Sequence, residues 1–289
     1  MASILTNLFD GVAYGMLLFV LACGLAVTLG LMNFVNLAHG AFAMAGGYIC
    51  AVLVNNSGWP FFAALPLAFV GSALIGIALE RTLYRHLYSR SHLDQVLFSI
   101  GLVFMSVAAV DYIMGSSRVF IKLPAALEGQ IDLFGVGIGR YRLMIVVICG
   151  LLTLGLQLIL AKTRFGSRLR AAVDDPRAAI GLGINVPQVF AFTFAFGCGL
   201  AGLGGALSAE ILGLDPYFPL KFMIYFLIVV TVGGSSSITG PFLASLLLGI
   251  ADVAGKYYVP KVGPFVIYTV MIVILLWRPN GLFGRTAAR

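Results

Sequence analysis

The chain of 289 residues predicts an all-α, polytopic integral membrane protein of eight or nine transmembrane or half-membrane helices, and three observations carry that expectation. No Asp, Glu, Lys or Arg occurs between Gly11 and Leu79. As a single helix that stretch would reach roughly 100 Å, far beyond a hydrocarbon core of about 30 Å, so it must fold back, and three crossings fit it. Shorter charge-free stretches recur at Leu143–Ala161, Ala178–Ala209, Phe222–Ala251 and Val262–Trp277. Composition agrees: 61% of residues are hydrophobic and 10% charged, against about 25% charged in soluble domains.

Breaks at Gly, Pro and Asn clusters and at charges place nine apolar segments near 8–31, 36–54, 60–79, 94–114, 141–161, 186–208, 218–232, 241–255 and 264–277. The second, seventh, eighth and ninth are short for a full crossing, which leaves the count at eight or nine. The amino terminus lacks a basic stretch and a small-residue cleavage pattern, so the first span is expected to be retained. Glycine is abundant, 35 residues, and lets helices approach closely where lipid supplies no hydrophobic force between them. Gly197, Ala201 and Gly205 give the sixth segment one smooth face.

Charge sorts the loops into two sides. Arg81, Arg85 and Arg90, then Lys162, Arg164, Arg168, Arg170 and Arg177, then Arg278, Arg285 and Arg289 make eleven of the 18 basic residues on one side, against four acids. The other side is balanced, seven against seven. The positive-inside rule puts the first set in the cytoplasm, with the amino terminus outside and the carboxy terminus inside. The net charge of +7 is therefore a matter of topology and carries no expectation of nucleic acid.

Three polar segments interrupt the pattern. Thr163–Asn185 reads as helical material capped by Asp174 or Asp175 ahead of Pro176, ending at Gly183. Its small face, Ala178, Ala179 and Gly181, suits a grip by another protein; the alternative is a basic loop that sets topology or touches anionic lipid. Met32–Tyr48 places Asn33, Asn36 and His39 beside Gly40, Gly46 and Gly47 within the charge-free stretch. Backbone that breaks at membrane depth is tolerated only where protein buries it or a wet cavity accepts it. A half-helix beginning near Asn36 aims its free N–H groups into such a space; the alternative for His39 is a satisfied packing residue. Val232–Leu248 repeats the type: aligning Gly40 with Gly240 sets Asn-Leu-Ala-His-Gly against Ser-Ser-Ile-Thr-Gly. Two interrupted, short segments 200 residues apart point to a transporter pathway, with Ser235, Ser236, Ser237, Thr239 and Gly240 as the second set of candidates.

The rest bounds the function by elimination. Cys23, Cys50, Cys149 and Cys198 lie singly in apolar stretches and read as small buried hydrophobes. There is no phosphate loop, no H-E-x-x-H and no Cys/His cluster for a metal. Asp111, Glu210 and Asp252 fall near outer ends of spans, where snorkelling to the headgroups is expected. The external segment Gly115–Arg142 is long and partly alternating, either a partner surface or a hairpin loop.

Four motifs then occur in order. Asn33-Phe-Val-Asn-Leu-Ala-His-Gly40, Arg170-Ala-Ala-Val-Asp-Asp-Pro-Arg-Ala-Ala-Ile-Gly-Leu-Gly-Ile184, Val232-Gly-Gly-Ser-Ser-Ser-Ile-Thr-Gly-Pro241 and Arg278-Pro-Asn-Gly-Leu-Phe-Gly284 together resemble the branched-chain amino-acid permease family of bacterial ABC importers, the H-type subunit more than the longer M-type. The resemblance implies one permease domain over 1–289, with a cytoplasmic coupling loop at 163–185 and an external loop at 115–142. It implies a second, related permease, two cytoplasmic ATPases that carry ATP and Mg, and a periplasmic binding protein, with no cofactor or catalysis in this chain. It makes Asp174–Gly183 the coupling helix, with Arg170, Asp174, Asp175 and Arg177 set against ATPase charges, and makes the interface of the two permeases the path. This chain has Ala-Ala-Val-Asp-Asp where other ABC permeases carry Glu-Ala-Ala, and Ser235–Gly240 is richer in serine than the usual form. Branched-chain amino acids lead as substrate; urea, short amides and small organic acids are used by close relatives. A stand-alone secondary transporter or channel is the alternative, and a membrane enzyme is disfavoured for want of reactive polar clusters.

Overall fold

A computed structural model describes residues 2–32, 34, 36–88, 90–133, 136–234 and 238–283. Each of the nine apolar segments is a helix: α1 (Ala2–Met32), α2 (His39–Ala51, prolonged by a π turn to Asn56), α3 (Phe61–Thr82), α4 (His92–Met114), α5 (Arg140–Lys162), α8 (Val186–Leu212), α9 (Phe218–Gly233), α10 (Thr239–Tyr258) and α11 (Gly263–Trp277). Two polar helices, α6 (Arg164–Asp174) and α7 (Pro176–Gly181), occupy the loop after α5. The external segment folds as a hairpin in which β1 (Gln130–Leu133) pairs antiparallel with β2 (Val136–Gly139), Gln130 opposite Gly139. Five helices are long and apolar enough to cross a membrane, α1, α3, α4, α5 and α8; α9 and α11 are shorter and apolar.

Burial separates the centre of the bundle from its rim. About four-fifths of the apolar windows of α1 and α8 are buried, against about a fifth for α4 and α5. Apolar side chains on α4 and α5, such as Met105 and Leu151, therefore face outward, where lipid rather than water covers them. The centre is dense because its crossings are made at glycine. A Cβ on Gly15 would stand 2.7 Å from the Ser245 carbonyl oxygen of α10, and Gly249 of α10 lies directly on Gly15. A Cβ on Gly46 of α2 would enter the backbone of Gly202 of α8. The smooth face expected on α8 is present and serves two partners: Gly197 meets Gly24 of α1, and Gly205 meets the Ala43 carbonyl of α2.

Ends of the bundle are built differently. At one, α6 and α7 fold onto the start of α8 through a small core of Leu169, Ala172, Ala179, Val186 and Val189. At the other, the hairpin and its flanks are tied down by polar groups. Asn55 donates to the Phe120 carbonyl at 2.8 Å and accepts from the Lys122 N–H at 3.0 Å, while Val119 bridges Leu214. The four ion pairs of the described residues, Arg118–Asp215, Lys221–Asp215, Arg142–Asp10 and Lys256–Asp252, all lie at this hairpin end. The four cysteines are buried and unpaired with one another.

Candidate functional site: two broken helices and a docked loop

The break before α2 is sealed inside the protein. Asn36 is fully buried; its side-chain oxygen accepts from the Ala38 N–H at 3.1 Å and from the Tyr84 hydroxyl at 3.0 Å. That geometry is an Asx turn, which holds the last turn before the helix in place of a side-chain cap at its end. Around it Phe34 meets Tyr84 and Tyr88 edge-on, and Tyr84 meets Phe98 and Phe194. His39 begins α2, three residues later than the sequence places the start, with its ring edge-on to Phe226 and against Gly24. The Asn36 amide nitrogen and the His39 Nε2 have no hydrogen-bond partner among the described residues. Gly40 is there for contact: a Cβ would stand 2.9 Å from the Cα of Pro219. Asn33 lies outside the described residues.

The second break precedes α10. Ser235, Ser236 and Ser237 lie outside the described residues. Thr239, the first residue of α10, is exposed, and Gly240 is buried against Gly233 at the end of α9 and Phe283 of the tail. The tail folds back on this spot: the Leu282 N–H donates to the Val232 carbonyl at 2.8 Å, and Gly281 turns with φ +80° beneath Thr231. Two motifs forty residues apart thus form one unit. Both breaks present a glycine at the second residue of a helix that touches α9, Gly40 at its start and Gly240 at its end.

The loop between α5 and α8 faces the start of α10 across a cleft. A cleft of about 360 Å³ is walled by Gln157 and Leu160 of α5, Gly166 and Arg170 of α6, and Ile238 and Thr239 before and in α10. Arg170 borders this cleft and is exposed, and its guanidinium donates to the Leu160 carbonyl, which braces α6 on α5. Of the two cap candidates, Asp175 is the cap: its carboxylate accepts from the Arg177 and Ala178 N–H groups at 2.9 and 3.0 Å, with Pro176 at the first position. Asp174 ends α6 and is exposed. The helix α7 closes with Gly183 at φ +80° and the Ile184 N–H on the Ala179 carbonyl.

The face that α7 offers differs from the expected one in one member. Ala179 is buried in the core beneath, whereas Arg177, Ala178 and Gly181 are exposed. Two apolar side chains that the sequence reading passed over stand beside them, Ile180 and Leu182, at 60% and 80% exposure. They flank Gly181, and unlike Phe165, Leu169, Val173 and Ile184 of the same loop they do not pack into the core beneath it. The acids at the other end also depart from expectation. Asp111 is exposed and accepts from the Ser116 hydroxyl at 2.6 Å, but Asp252 does not snorkel. It is buried, and Lys256 reaches back to it at 2.6 Å while keeping its own stem half in the open.

A family described as "Branched-chain amino acid transport system / permease component" matches residues 7–275. The high-affinity branched-chain amino acid transport system permease protein LivH of Escherichia coli K12 is 28% identical, over 97% of this chain and 96% of its own length. BraD of Pseudomonas aeruginosa, of the same description, is 29% identical over 97% and 96%. LivM of Salmonella typhimurium is 25% identical over 94% of this chain and 68% of its own. No solved structure matches. With nine apolar helices, two broken ones and a docked polar loop in the order that these relatives cover almost end to end, the chain belongs to the branched-chain amino acid transport permease family.

Proposed function

We propose that this permease subunit works in an ATP-driven importer of branched-chain amino acids or related small solutes. It sits in the bacterial inner membrane with its carboxy terminus in the cytoplasm, and a related M-type chain completes the path. Two ATPase subunits, holding ATP and Mg, engage the α7 end, and a periplasmic binding protein delivers solute to the hairpin end. The observation that carries the reading is the join between loop and break: Arg170 of α6 and Thr239 of α10 wall the same cleft. A push on α7 passes through the Leu169–Ala172–Ala179–Val186–Val189 core into α6 and α8, and α6 faces the start of α10 across that cleft. No basic residue at that end is in an ion pair among the described residues, so Arg177 and its neighbours keep their charge for a partner. The relatives' names supply the solute class, since LivH and BraD are described as branched-chain amino acid permeases.

Co-expression with its genomic neighbours, purification and mass spectrometry test the reading. Recovery of two ATPases and a second permease, with ATP-dependent leucine uptake into liposomes in the presence of the binding protein, is the expected result. A chain that purifies alone and moves solute without ATP would establish a secondary transporter instead. Uptake of urea or a short amide in place of leucine would keep the importer and replace the solute.

A further inference from the structure

An apolar groove of about 370 Å³ runs along the bundle between α3 and α5, with α8 as its floor. Ala73 and Ile77 of α3, Leu156 and Leu160 of α5, and Phe192 and Phe196 of α8 form most of its wall. Of its thirteen lining residues only Thr193 carries a polar side chain, and that hydroxyl donates to the Val189 carbonyl at 2.7 Å. The α3 wall runs from Phe69 to Ile77, a rise of about 12 Å, close to the roughly 15 Å of hydrocarbon in one leaflet. At its loop end the groove becomes polar. Ile77 and Phe192 also line a second cleft, of about 670 Å³, between the end of α3 and the start of α8. Arg81, in the last turn of α3, and Arg85, in the 3-10 turn that follows, both line this cleft and are exposed. Neither is in an ion pair among the described residues. Glu80 borders the cleft too, but it is 4% exposed and its Oε1 accepts from the Tyr88 hydroxyl at 3.2 Å. The open side of the cleft therefore keeps a surplus of positive charge, with the exposed Gln188 amide beside it.

We propose that groove and cleft together bind one anionic phospholipid, an acyl chain laid between α3 and α5 and the phosphate on Arg81 and Arg85. On the orientation proposed above, the lipid belongs to the cytoplasmic leaflet. The match is one of shape and charge together: an apolar slot about one leaflet deep leads to two unpaired guanidinium groups, and guanidinium takes phosphate through paired, charge-assisted hydrogen bonds. A helix of a neighbouring protein, about 10–12 Å across, would lie over the slot and leave its floor without packing partners. The site is independent of which solute the permease moves.

The test uses the full chain, purified with whatever subunits accompany it, and reads bound lipid by native mass spectrometry. Phosphatidylglycerol and phosphatidylethanolamine of identical acyl chains are offered at equal concentration. One phosphatidylglycerol per copy of this chain is expected to survive washing, retained at least tenfold over phosphatidylethanolamine. Arg81→Gln combined with Arg85→Gln lowers that occupancy at least tenfold. Ala73→Trp, which fills the slot and keeps both arginines, does the same, and it decides the matter where the double variant fails to insert. Equal retention of the two lipids, or occupancy unchanged in the variants that assemble, overturns the proposal. Displacement of the lipid by soluble glycerol 3-phosphate would reveal a bare anion site and overturns it as well. A benzophenone side chain placed at position 192 is expected to crosslink to lipid on illumination; crosslinking to a second permease instead puts protein over the groove and overturns the lipid.

Discussion

Gly205 of α8 rests on the backbone carbonyl of Ala43 in α2, at a position where a Cβ would overlap that oxygen. Together with Gly46 on Gly202, it makes the α2–α8 crossing a backbone-to-backbone contact. Such packing gains dispersion and excludes lipid, and it has no slack. Gly205→Val and Gly46→Val are expected to cost at least 1–3 kcal/mol each, because a rigid backbone rather than a flexible side chain must move. Gly150→Ala, on the open face of α5 where an added Cβ meets nothing, is the control and leaves the fold unchanged. Detergent-solubilised yield and thermal unfolding by size-exclusion fluorescence measure the difference.

Asp175 holds the first turn of α7 through two backbone N–H groups. Asp175→Ala removes the cap at a cost of about 1 kcal/mol to a helix of six residues, enough to fray it. The bundle is untouched, so expression and melting stay near the parent, while stimulated ATPase activity and uptake fall together. Asp175→Asn keeps an accepting oxygen and restores most of both.

Gly181→Asp addresses the surface of α7 and not its stability. Gly181 is exposed with nothing within 4 Å of an added Cβ, and it sits between Ile180 and Leu182. A carboxylate there meets desolvation in any apolar docking surface. Hydrolysis by the ATPases is expected to persist at its basal rate while uptake is lost. Uptake equal to the parent would show that α7 is not gripped on this face.

Tyr84 and Asn36 form a pair that double-mutant analysis can separate. Asn36→Ala strands the Tyr84 hydroxyl and the Ala38 N–H, both buried, at a cost of about 1–3 kcal/mol for each group left unsatisfied. Tyr84→Phe removes one partner of an oxygen that keeps its other bond, and costs less. The two changes are expected to couple by more than 0.5 kcal/mol, since they share one hydrogen bond. Unfolding melts of the four chains measure it.

Gly281 adopts φ +80° beneath the Thr231 carbonyl, so a side chain there meets both backbone strain and contact. Gly281→Val is expected to lift the tail from the end of α9 and to expose the Leu282–Val232 hydrogen bond to exchange. Faster deuterium uptake at 280–283 and at the start of α10, with the rest unchanged, is the readout.

The absence of charge over sixty-nine residues already determined that the chain folds back within a bilayer, and each of the nine apolar segments became a helix close to where glycine, proline and charge bound it, except that α1 starts at Ala2, ahead of the expected start near 8. The local chemistry of the loop was equally legible: Asp175 before Pro176 and a glycine after Leu182 cap a short helix through contacts only a few residues apart. Tertiary structure alone decided which side of each element faces inward. Ala179 and Ala178 are identical in the sequence, and only the core of Leu169 and Val186 makes one a packing residue and the other a surface one. Asp252 reads like any acid near the end of a span until α1, α5 and α8 close around it and bury it with one oxygen unpaired. Membrane insertion is fixed by the hydropathy of one segment at a time, because each must leave water by itself. Packing depends on which glycines oppose one another across helices far apart in the chain, and that information exists only once the helices meet.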